Sequence, residues 1–513
     1  MNEAVFVPLF LLPISAALSV PVGLGSKNIR NALITAVFAV SLFINTFYLT
    51  ESLGGGGFRI QMGEILVNAA TLYMSELVLL LGFLGVLYSF RYIEEMPGNQ
   101  LYYVLYQLFI AMMIGMSASF NILVIFIFME ASSVTSAVLV MFSRRRSSIS
   151  AAYRYLILSF LGAIIILIGI FLQYSSVHSL NIADLASIPS QNIAMLATIY
   201  FFGFGIKAGL LPFGPFWLPP AHSEAPIPIH TLLSAALVQV AAFDIARILG
   251  NLGIVNIGLG YLLLAVGLAS MLVGSLYSLL EAWFGSKRTG FHVGPRDICG
   301  IKRVWALSTI SEVGYIVVFL GLISILMDSA VPREEAFLLG FGGALIHMYN
   351  HGFCKAQLLF DSGVVIRMTE AEDLSLMGGA GRALPVMKYS FLVGGLSLGL
   401  VPFTLGVRTL RELVIGGSTP ISVSIAVIVT AGLTLAGCLS AWYRAFIARP
   451  KGELNEMWKV PKLMSGPGLL MGALILVLGT IFTLEWMGFR VFGTEEIAEA
   501  IRVLVESTVK AGA

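Results

Sequence analysis

The chain has 513 residues, of which 58% are hydrophobic and only 11% are charged, and its formal net charge is +2. Soluble domains carry roughly 25% charged residues, so this composition excludes a soluble globular protein and predicts an integral membrane protein. No basic run with interleaved aromatics suggests a nucleic-acid partner, and Cys299, Cys354 and Cys438 lie too far apart to predict a disulfide framework or a metal cluster.

Apolar runs of about 20 residues predict an all-α fold with about fourteen transmembrane helices. The first run follows the acidic Glu3 and lacks the basic flank of a cleaved signal, so we expect it to be retained. The segment 54–66 is too short and polar to cross, and we expect it to form an extracytoplasmic hairpin or loop. The predicted spans are residues 4–22, 32–50, 71–90, 102–120, 121–142, 152–174, 194–214, 227–249, 256–280, 303–325, 336–360, 386–407, 420–443 and 467–489.

Basic residues alternate between the predicted loops. Loops after odd-numbered spans carry 20 Lys and Arg residues, and the other side of the chain carries eight. Because basic loops stay on the cytoplasmic side, this distribution predicts a cell (cytoplasmic) membrane protein with both termini extracytoplasmic. An incorrect number of spans would have mixed the two sets of loops.

Two ionisable side chains in the first half of the chain lie deep within predicted spans. Glu130 is about nine residues into span 5, and Lys207 is near the middle of span 7. A charge at this depth costs about 2.5–3.5 kcal/mol on insertion scales, and opposite charges on neighbouring helices reduce that cost for each other. These residues are predicted to belong to a proton path, and the alternative is a static ion pair that joins two helices.

Span 7 ends in the proline-rich stretch GIKAGLLPFGPFWLPPAHSEAP, residues 205–226. Broken helices are tolerated at membrane depth only where protein or water satisfies the freed backbone groups, and they mark ion paths that often occur in inverted repeats. The pair Pro402-Phe403 in span 12 echoes Pro212-Phe213 five spans earlier. The pattern predicts two inverted five-helix repeats with discontinuous helices 7 and 12. The predicted organisation is helices 1–3 in residues 1–100, helices 4–8 in 101–250, helices 9–13 in 251–445, and helix 14 with a short amphipathic tail in 446–513.

Span 11 contains the sequence IHMYNHGFCKAQLLFDSG. His347, His351 and Lys355 recur every four residues, so they share one helix face about 6 Å apart at each step. Histidine is suited to proton relay near neutral pH, which makes this face a second part of the predicted path. The alternatives are histidines that only pack and a metal site at His347 and His351, and the lack of a carboxylate or cysteine on the same face disfavours the metal.

The segment after span 14 has a helical apolar stripe formed by Ile497, Ile501, Leu504 and Val505. Thr494 is a candidate cap, with acidic residues in the first turn after it. This pattern predicts an amphipathic helix at the membrane interface or against a partner.

Four stretches together resemble the antiporter-like membrane subunits of respiratory complex I, Mrp cation/proton antiporters and membrane-bound hydrogenase or sulfur reductase complexes. They are FIFMEASS, IKAGLLPFGPFWLPPAHSEAP, GIKRVWALSTISEVGYI and HMYNHGFCKAQLLFDSG, between about residues 100 and 410. The resemblance implies that Glu130 and Lys207 form the family's coupled pair and that His347, His351 and Lys355 form its central relay. Secondary candidates for the path are Gln239, His230, Glu312, Arg408, Arg411 and Glu412.

The sequence departs from the family pattern at two positions of the path. Gln239 stands where the family has the helix-8 lysine, and a glutamine cannot carry a proton as a charge. The helix-12 lysine or glutamate of the family has no clear counterpart, because only Arg408, Arg411 and Glu412 lie nearby and arginine hardly releases a proton. The loop 283–299 also looks longer than is usual in the family.

The resemblance implies an antiporter-like subunit that translocates protons or sodium within a multi-subunit membrane redox complex, driven by ferredoxin as in hydrogenase or sulfur-reductase systems. The ions would move along a mid-membrane chain of charged residues. Expected partners are other antiporter-like membrane subunits and peripheral redox subunits with iron–sulfur clusters, while no cofactor, metal or nucleic acid is expected in this chain. The alternatives are a stand-alone secondary transporter and, because of Gln239, a non-conducting scaffold subunit of such a complex.

Overall fold

The computed structural model describes residues 2–54, 58–253, 256–284, 300–329, 331–415, 418–449, 459–489 and 494–509. Within these residues the fold is a helical bundle with one short hairpin, as the sequence predicts. The helices are α1 (Val7–Gly25), α2 (Lys27–Leu53), α3 (Ala69–Tyr92), α4 (Asn99–Ala118), α5 (Ile122–Val140), α6 (Arg146–Val177), α7a (Ser190–Ala208), α7b (Gly214–Glu224), α8 (Ile227–Leu252), α9 (Ile257–Phe284), α10 (Ile301–Asp328), α11 (333–369), α12a (Pro385–Leu398), α12b (407–415), α13 (Ile421–Ile447), α14 (Lys462–Trp486) and α15 (Thr494–Val509).

Eleven helices of the described residues are long and apolar enough to cross a membrane. The three predicted spans outside this set are α7 and α12, which are interrupted, and α11, which carries the polar sequence of span 11. The apolar criterion alone therefore does not establish the count of fourteen. A hydropathy criterion does not detect these three helices, because a break shortens α7 and α12 and titratable groups lower the mean hydropathy of α11. The same features are the ones that predict function in these helices.

Contacts between helix ends agree with the predicted alternation of the chain between two faces. On one face, which we call the basic face, Ile301 N donates to the Glu372 carbonyl across 3.1 Å and so joins the start of α10 to the end of α11. On the opposite face, Ile182 N donates to the Phe120 carbonyl across 2.8 Å, which joins the end of α6 to the start of α5. The basic face is the side on which odd-numbered helices end and even-numbered helices begin, and the opposite face is the other side.

The centre of the bundle is formed by α8 and α10. The most apolar 18-residue windows of these helices are 100% and 94% buried within the chain, compared with 39% for α1 and α6. A helix that is buried on all sides cannot place a polar side chain against lipid. His230, Asp244 and Arg247 on α8 and Glu312 on α10 are fully buried and therefore face other helices, which makes this centre a candidate location for a path.

Helices α9 and α10 approach each other backbone to backbone. Gly260, Gly267 and Gly274 recur every seven residues on α9, opposite Gly314 and Gly321 on α10. A Cβ atom on Gly314 would lie 2.7 Å from the Gly267 carbonyl oxygen, and one on Gly321 would lie 3.0 Å from that of Gly260. Small residues allow this close packing in membranes and hold α10 in place beside α11.

Replacing Gly314 with valine should prevent this close approach and destabilise the bundle. Overpacking typically costs about 1–3 kcal/mol, and here the obstacle is backbone that cannot turn away. The thermal unfolding temperature and the yield of detergent-purified protein should both fall. Gly432→Val is the matched control, because Gly432 on α13 has no neighbouring atom within 4 Å of its added Cβ, and equal losses in both variants would contradict the packing argument.

The predicted interruptions of helices 7 and 12 are both present. After α7a the chain turns at Gly209, whose φ is +82°, and α7b restarts at Gly214. Between α12a and α12b, the backbone N–H of Phe403 donates to the Thr483 hydroxyl across 2.8 Å, and that of Gly406 donates to the Ser397 hydroxyl across 3.1 Å. Side chains of the protein thus satisfy the backbone groups that the second break frees, as membrane burial requires.

The predicted hairpin and amphipathic helix both occur on the opposite face. Strands β1 (Arg59–Met62) and β2 (Ile65–Asn68) pair antiparallel. In α15, Leu504 and Val505 are buried, and its backbone accepts hydrogen bonds from the side chains of Asn68 and Asn251. The apolar stripe of α15 therefore packs on the chain itself, which corrects the expectation of a helix at the membrane interface or against a partner. The side chain of the predicted cap, Thr494, lies outside what the structure describes.

Candidate functional site

Lys207 is the last charged residue before the break in helix 7, and its side chain is 3% exposed. Its ammonium donates to the Ser133 hydroxyl on α5 across 2.5 Å and to the Tyr155 hydroxyl on α6 across 2.6 Å. Tyr155 in turn shares a 2.8 Å hydrogen bond with Ser136. A buried ammonium with two hydroxyl partners is well solvated by hydrogen bonds, but its charge is not neutralised by them.

Glu130 lies one turn before Ser133 on α5 and is close enough to Lys207 to interact with its charge. The two do not form a direct ion pair within the described residues, because Lys207 is bonded to hydroxyls and Glu130 Oε1 is buried without a hydrogen-bond partner. The predicted pairing thus takes the form of a carboxylate and an ammonium separated by a hydroxyl group. A proton or a water-mediated contact can join them without a large movement of either helix.

Aromatic rings extend from Lys207 towards α8. The Tyr155 and Trp217 rings are 5.0 Å apart, Trp217 and His222 are 5.9 Å apart, and His222 and His230 are 5.0 Å apart. Both histidines are fully buried, and none of their ring nitrogens has a hydrogen-bond partner in the described part of the chain. His230 was a secondary candidate in the sequence, and His222 joins it as a titratable neighbour on the α7b side.

Gln239 and His351 connect α8 to α11. The Gln239 amide nitrogen and His351 Nδ1 are in hydrogen-bonding contact, and both side chains are fully buried. Gln239, at the position where the resembled family has a lysine, is therefore a neutral side chain that directly contacts His351, the middle residue of the predicted α11 relay. Gln239 Oε1 and His351 Nε2 remain without partners among the described residues, so each side chain retains one free hydrogen-bonding position.

His347 and Lys355 both face α10, on either side of His351. His347 Nε2 is 3.3 Å from a carboxylate oxygen of Glu312, and its Nδ1 is 3.0 Å from the Thr409 hydroxyl on α12b. Lys355 donates to the Trp305 carbonyl across 2.7 Å and also to the Ser308 hydroxyl. All of these groups except the Trp305 backbone belong to side chains that are fully buried. The face of α11 that carries His347, His351 and Lys355 thus contacts α10 at two positions. Lys355 binds Ser308, and His347 lies beside Glu312, one helical turn after Ser308.

The charged residues of helix 12 form a cluster with α14 near the opposite face. Arg408 lies 2.9 Å from Glu412 and 3.6 Å from Glu485, and Arg411 lies 3.2 Å from Glu485. These side chains are 17–35% exposed, unlike the fully buried groups on α8, α10 and α11. The cluster is a group of mutually neutralising charges rather than a single titratable residue, and it connects to His347 through Thr409 of the same half-helix.

The structure thus brings the predicted residues into separate local contacts, which are Lys207 with α5 and α6, Gln239 with His351, and His347 with Glu312 and Thr409. Lys355 lies one helical turn after His351 and contacts α10 through Trp305 and Ser308. Sequence reasoning missed Ser133, Tyr155, Trp217, His222 and Ser308, because hydroxyls and aromatic rings are common in every membrane helix. His222 alone had a signal, its position in the quoted stretch AHSEAP.

Nothing in the described residues groups three or more His, Cys, Asp or Glu side chains as a metal site. Cys354 and Cys438 are both buried free thiols, and Cys299 lies outside the described residues, as does most of the predicted long loop 283–299. The absence of a metal and of a cofactor from this chain stays a prediction.

Comparison with known proteins identifies related sequences over most of the chain. Residues 119–284 and 297–436, more than half of the chain, match a family model described as NADH:quinone oxidoreductase/Mrp antiporter, TM. The chain is 26% identical over 470 residues to hydrogenase-4 component B of Escherichia coli (strain K12), covering 87% of this chain and 66% of that protein. It is 29% identical over 444 residues to NADH-quinone oxidoreductase subunit N of Desulforudis audaxviator (strain MP104C), covering 81% of each. It is 25% identical to a component of the Na(+)/H(+) antiporter of Alkalihalophilus pseudofirmus, covering 87% of this chain and 86% of that protein.

Two solved structures share the fold. A chain of the membrane-bound sulfane sulfur reductase, an archaeal respiratory membrane complex, superposes with a TM-score of 0.80 and 21% identity, covering 100% of this chain and 99% of that one. A chain of the Mrp complex from Dietzia sp. DQ12-45-1b superposes with a TM-score of 0.82 and 17% identity, covering 100% and 98%. The full-length coverage in both directions extends the likeness beyond the segments that match by sequence.

Proposed function

We infer a function from one premise: the chain belongs to the NADH:quinone oxidoreductase/Mrp antiporter transmembrane family. It is a multi-pass, antiporter-like membrane subunit of the kind found in respiratory, hydrogenase and Mrp complexes. We propose that it translocates protons along the buried row that begins at Glu130 and Lys207 and continues through Gln239, His351, Lys355 and the Glu312–His347 pair.

One observation carries this proposal, the set of contacts that titratable side chains at the centre of the bundle make with polar groups of other helices. Lys207 reaches α5 and α6, His351 reaches α8, and His347 and Lys355 reach α10. Charges buried in a membrane interior are costly, and a packing role alone would be met by apolar side chains. The hydroxyl, imidazole and carboxylate groups among these partners can accept and release a proton, and the charged groups can respond to a charge on a neighbour, so we propose that a change at one end of the row reaches the other.

Because Gln239 is neutral, another side chain must carry the positive charge in this part of the row. A glutamine amide donates and accepts hydrogen bonds but does not titrate. We propose that His351 and Lys355 hold the charge that the helix-8 lysine holds in relatives, with Gln239 orienting the His351 ring. The first and second five-helix units, residues 101–250 and 251–445, would then exchange charge through the Gln239–His351 contact.

The orientation and the home of the chain are further parts of the proposal. We place the basic face in the cytoplasm of a cell whose cytoplasmic membrane holds the complex, with both termini outside. Similarity to hydrogenase-4 component B and the fold of the sulfane sulfur reductase chain support a hydrogenase- or sulfur-reductase-like complex. In that setting ferredoxin would supply the electrons, and iron–sulfur clusters would reside in peripheral partner subunits.

Purification of the tagged chain from native membranes in mild detergent tests the proposed home. We expect further antiporter-like membrane subunits and iron-containing peripheral subunits to co-purify in fixed ratio, with proton movement in closed vesicles that depends on their redox reaction. Partners without iron would exclude the hydrogenase-like assignment. Ion transport by the chain alone, at the rate seen in the complex, would instead identify a stand-alone secondary transporter.

A further inference from the structure

Asp361 is a fully buried acid on α11 that the proposed row does not use. It lies six residues beyond Lys355, towards the basic face. No Lys, Arg or His within the described residues forms an ion pair with it, and neither carboxylate oxygen makes a hydrogen bond of normal geometry there. The Ser390 hydroxyl on α12a is a candidate donor. An uncompensated buried carboxylate costs several kcal/mol, so this group must carry a bound proton or cation for at least part of the time.

The neighbouring helices lack side chains where Asp361 and Gln357 reach. A Cβ atom on Gly468 of α14 would collide with the Asp361 carboxylate. One on Gly472 would lie 2.5 Å from Gln357 Nε2, and one on Gly394 of α12a would lie 2.8 Å from Gln357 Oε1. Glycines on α12a and α14 thus leave room for the Gln357 and Asp361 side chains of α11. We take this glycine-lined space around a buried acid to be a candidate site.

Asp361 belongs to a second polar face of α11. Asn350, Cys354, Gln357 and Asp361 are spaced by four, three and four residues, so they share a face about 90° around the helix from the one with His347, His351 and Lys355. This face meets α12a and α14, whereas the first meets α8 and α10. The two faces run along the same helix at similar depth and have different neighbours.

Hydrogen bonds join this second face to the break in helix 12. Gln357 Nε2 donates to the Ser390 carbonyl across 2.6 Å and to its hydroxyl across 3.0 Å. Ser397 donates to Asn350 Oδ1 across 2.7 Å and accepts from the backbone of Gly406 at the break. Between these two contacts, Asn350 Nδ2 and Gln357 Oε1 are buried and unpartnered in the described chain, and such atoms are the positions that bridging water occupies in hydrated paths.

We propose that Asp361 takes up a proton from the basic face and releases it along this second face of α11 to the helix 12 break, from which Thr409 leads to His347. One carboxylate oxygen binds the proton and gives it to the next hydroxyl or water, so no other reactant is needed. The ligand is a proton rather than a metal cation, because Gln357 turns its N–H groups towards Ser390 and the described residues contain no group of three or more His, Cys, Asp or Glu side chains that could hold a metal ion. The inference rests on the proposed function, since it supplies protons to the same row.

The test uses the intact complex in closed vesicles, with proton translocation followed by a pH-sensitive dye during its own redox reaction. Asp361→Asn keeps the shape of the protonated acid and removes the exchangeable proton. We expect it to slow translocation roughly tenfold or more, since loss of a positioned proton-transfer group typically costs at least that much. A merely structural neutral acid would tolerate this change with no loss of rate.

A matched pair on α14 tests the glycine-lined space. Gly468→Ala should crowd the carboxylate and slow translocation, while Gly466→Ala should not, because a Cβ at Gly466 has no atom within 4 Å. If Gly468→Ala prevents assembly, Asp361→Asn decides alone.

Normal rates in Asp361→Asn together with a slowed Lys207→Met would overturn this inference and leave the proposed function intact. Normal rates in both variants would overturn this inference and the proposed function together. A loss seen only when sodium is the transported ion would identify a sodium site and overturn the proton assignment.

Discussion

Replacing Lys207 with methionine should nearly abolish ion translocation by the complex while the complex still assembles. The substitution keeps the length of the side chain and removes the only ammonium that Ser133 and Tyr155 bind among the described residues. Without that charge Glu130 loses the group that favours its ionised form, and a proton must cross this point uncompensated. If the added barrier is about 2.5 kcal/mol, the lower end of the insertion cost of a charge, the step slows roughly 70-fold. Proton uptake into vesicles during turnover measures the effect.

The control for this substitution is Lys462→Met, which removes an exposed lysine at the start of α14 on the basic face. It should leave translocation unchanged, because an exposed charge is solvated by water and is not part of the row. Subunit composition of both variants should match the wild type. A Lys207→Met complex that translocates at the normal rate would remove Lys207 from the path and favour a role in helix packing.

The second large effect concerns Glu312 on α10 and Lys355 on α11, which are close enough for their charges to interact but do not form a direct ion pair in the described residues. Both are fully buried, and Lys355 is bonded to Ser308 one turn before Glu312. Glu312→Gln and Lys355→Met should each slow translocation roughly tenfold or more and also lower the stability of the complex, since each leaves the other charge without compensation. The double variant should be more stable than the sum of the single losses predicts, because both charges are then gone.

Thermal unfolding of the purified complex measures this coupling, with Glu335→Gln and Lys388→Met as controls at the membrane surfaces. Glu335 is exposed and Lys388 is partly exposed, so each should change stability by less than about 0.5 kcal/mol. Strictly additive losses for Glu312 and Lys355 would show that the two charges do not sense each other. In that case the row would be interrupted between the hydroxyl of Ser308 and the His347 pair.

Much of the architecture follows from the sequence because the membrane permits so few solutions. Apolar runs must be helices, since the backbone has no other way to satisfy its hydrogen bonds in lipid. The break after Lys207 was predictable from the prolines that follow it, and the break in helix 12 from the echo at Pro402. The length of α7b could not be predicted. Pro219 and Pro220 argue against a helix, yet both lie within the helix that starts at Gly214.

The partners of the charged residues could not be read from the sequence. Tyr155 is 52 residues before Lys207, and Gln239 is 112 residues before His351, so only the packing of helices brings each pair together. From the sequence alone, Gln239 indicates the loss of a titratable group, because a neutral residue stands where the family has a lysine. In the structure it is the residue of α8 that contacts His351 of α11, and that contact gives a buried polar side chain at this position a partner.

The tail shows how an amphipathic pattern can be assigned to the wrong surface. Its apolar stripe predicts burial but does not say against what. In the structure, the side chains of Asn68 and Asn251 bind the backbone of α15 near its end and hold the helix over the ends of α3, α8 and α11. Such anchoring by two side chains from distant parts of the chain leaves no signal in the local sequence.

The central claim is that ions cross the membrane along the buried charges of this subunit. The most direct test is the number of ions translocated per electron pair by the intact complex, compared between wild type and a variant that combines Glu130→Gln, Lys207→Met, Glu312→Gln and Lys355→Met. If the claim is correct, electron transfer continues in the variant while the ion-to-electron ratio falls by the share that this subunit contributes. An unchanged ratio in a fully assembled variant complex would contradict it, because the ions would then cross through other subunits and this chain would serve only as their scaffold.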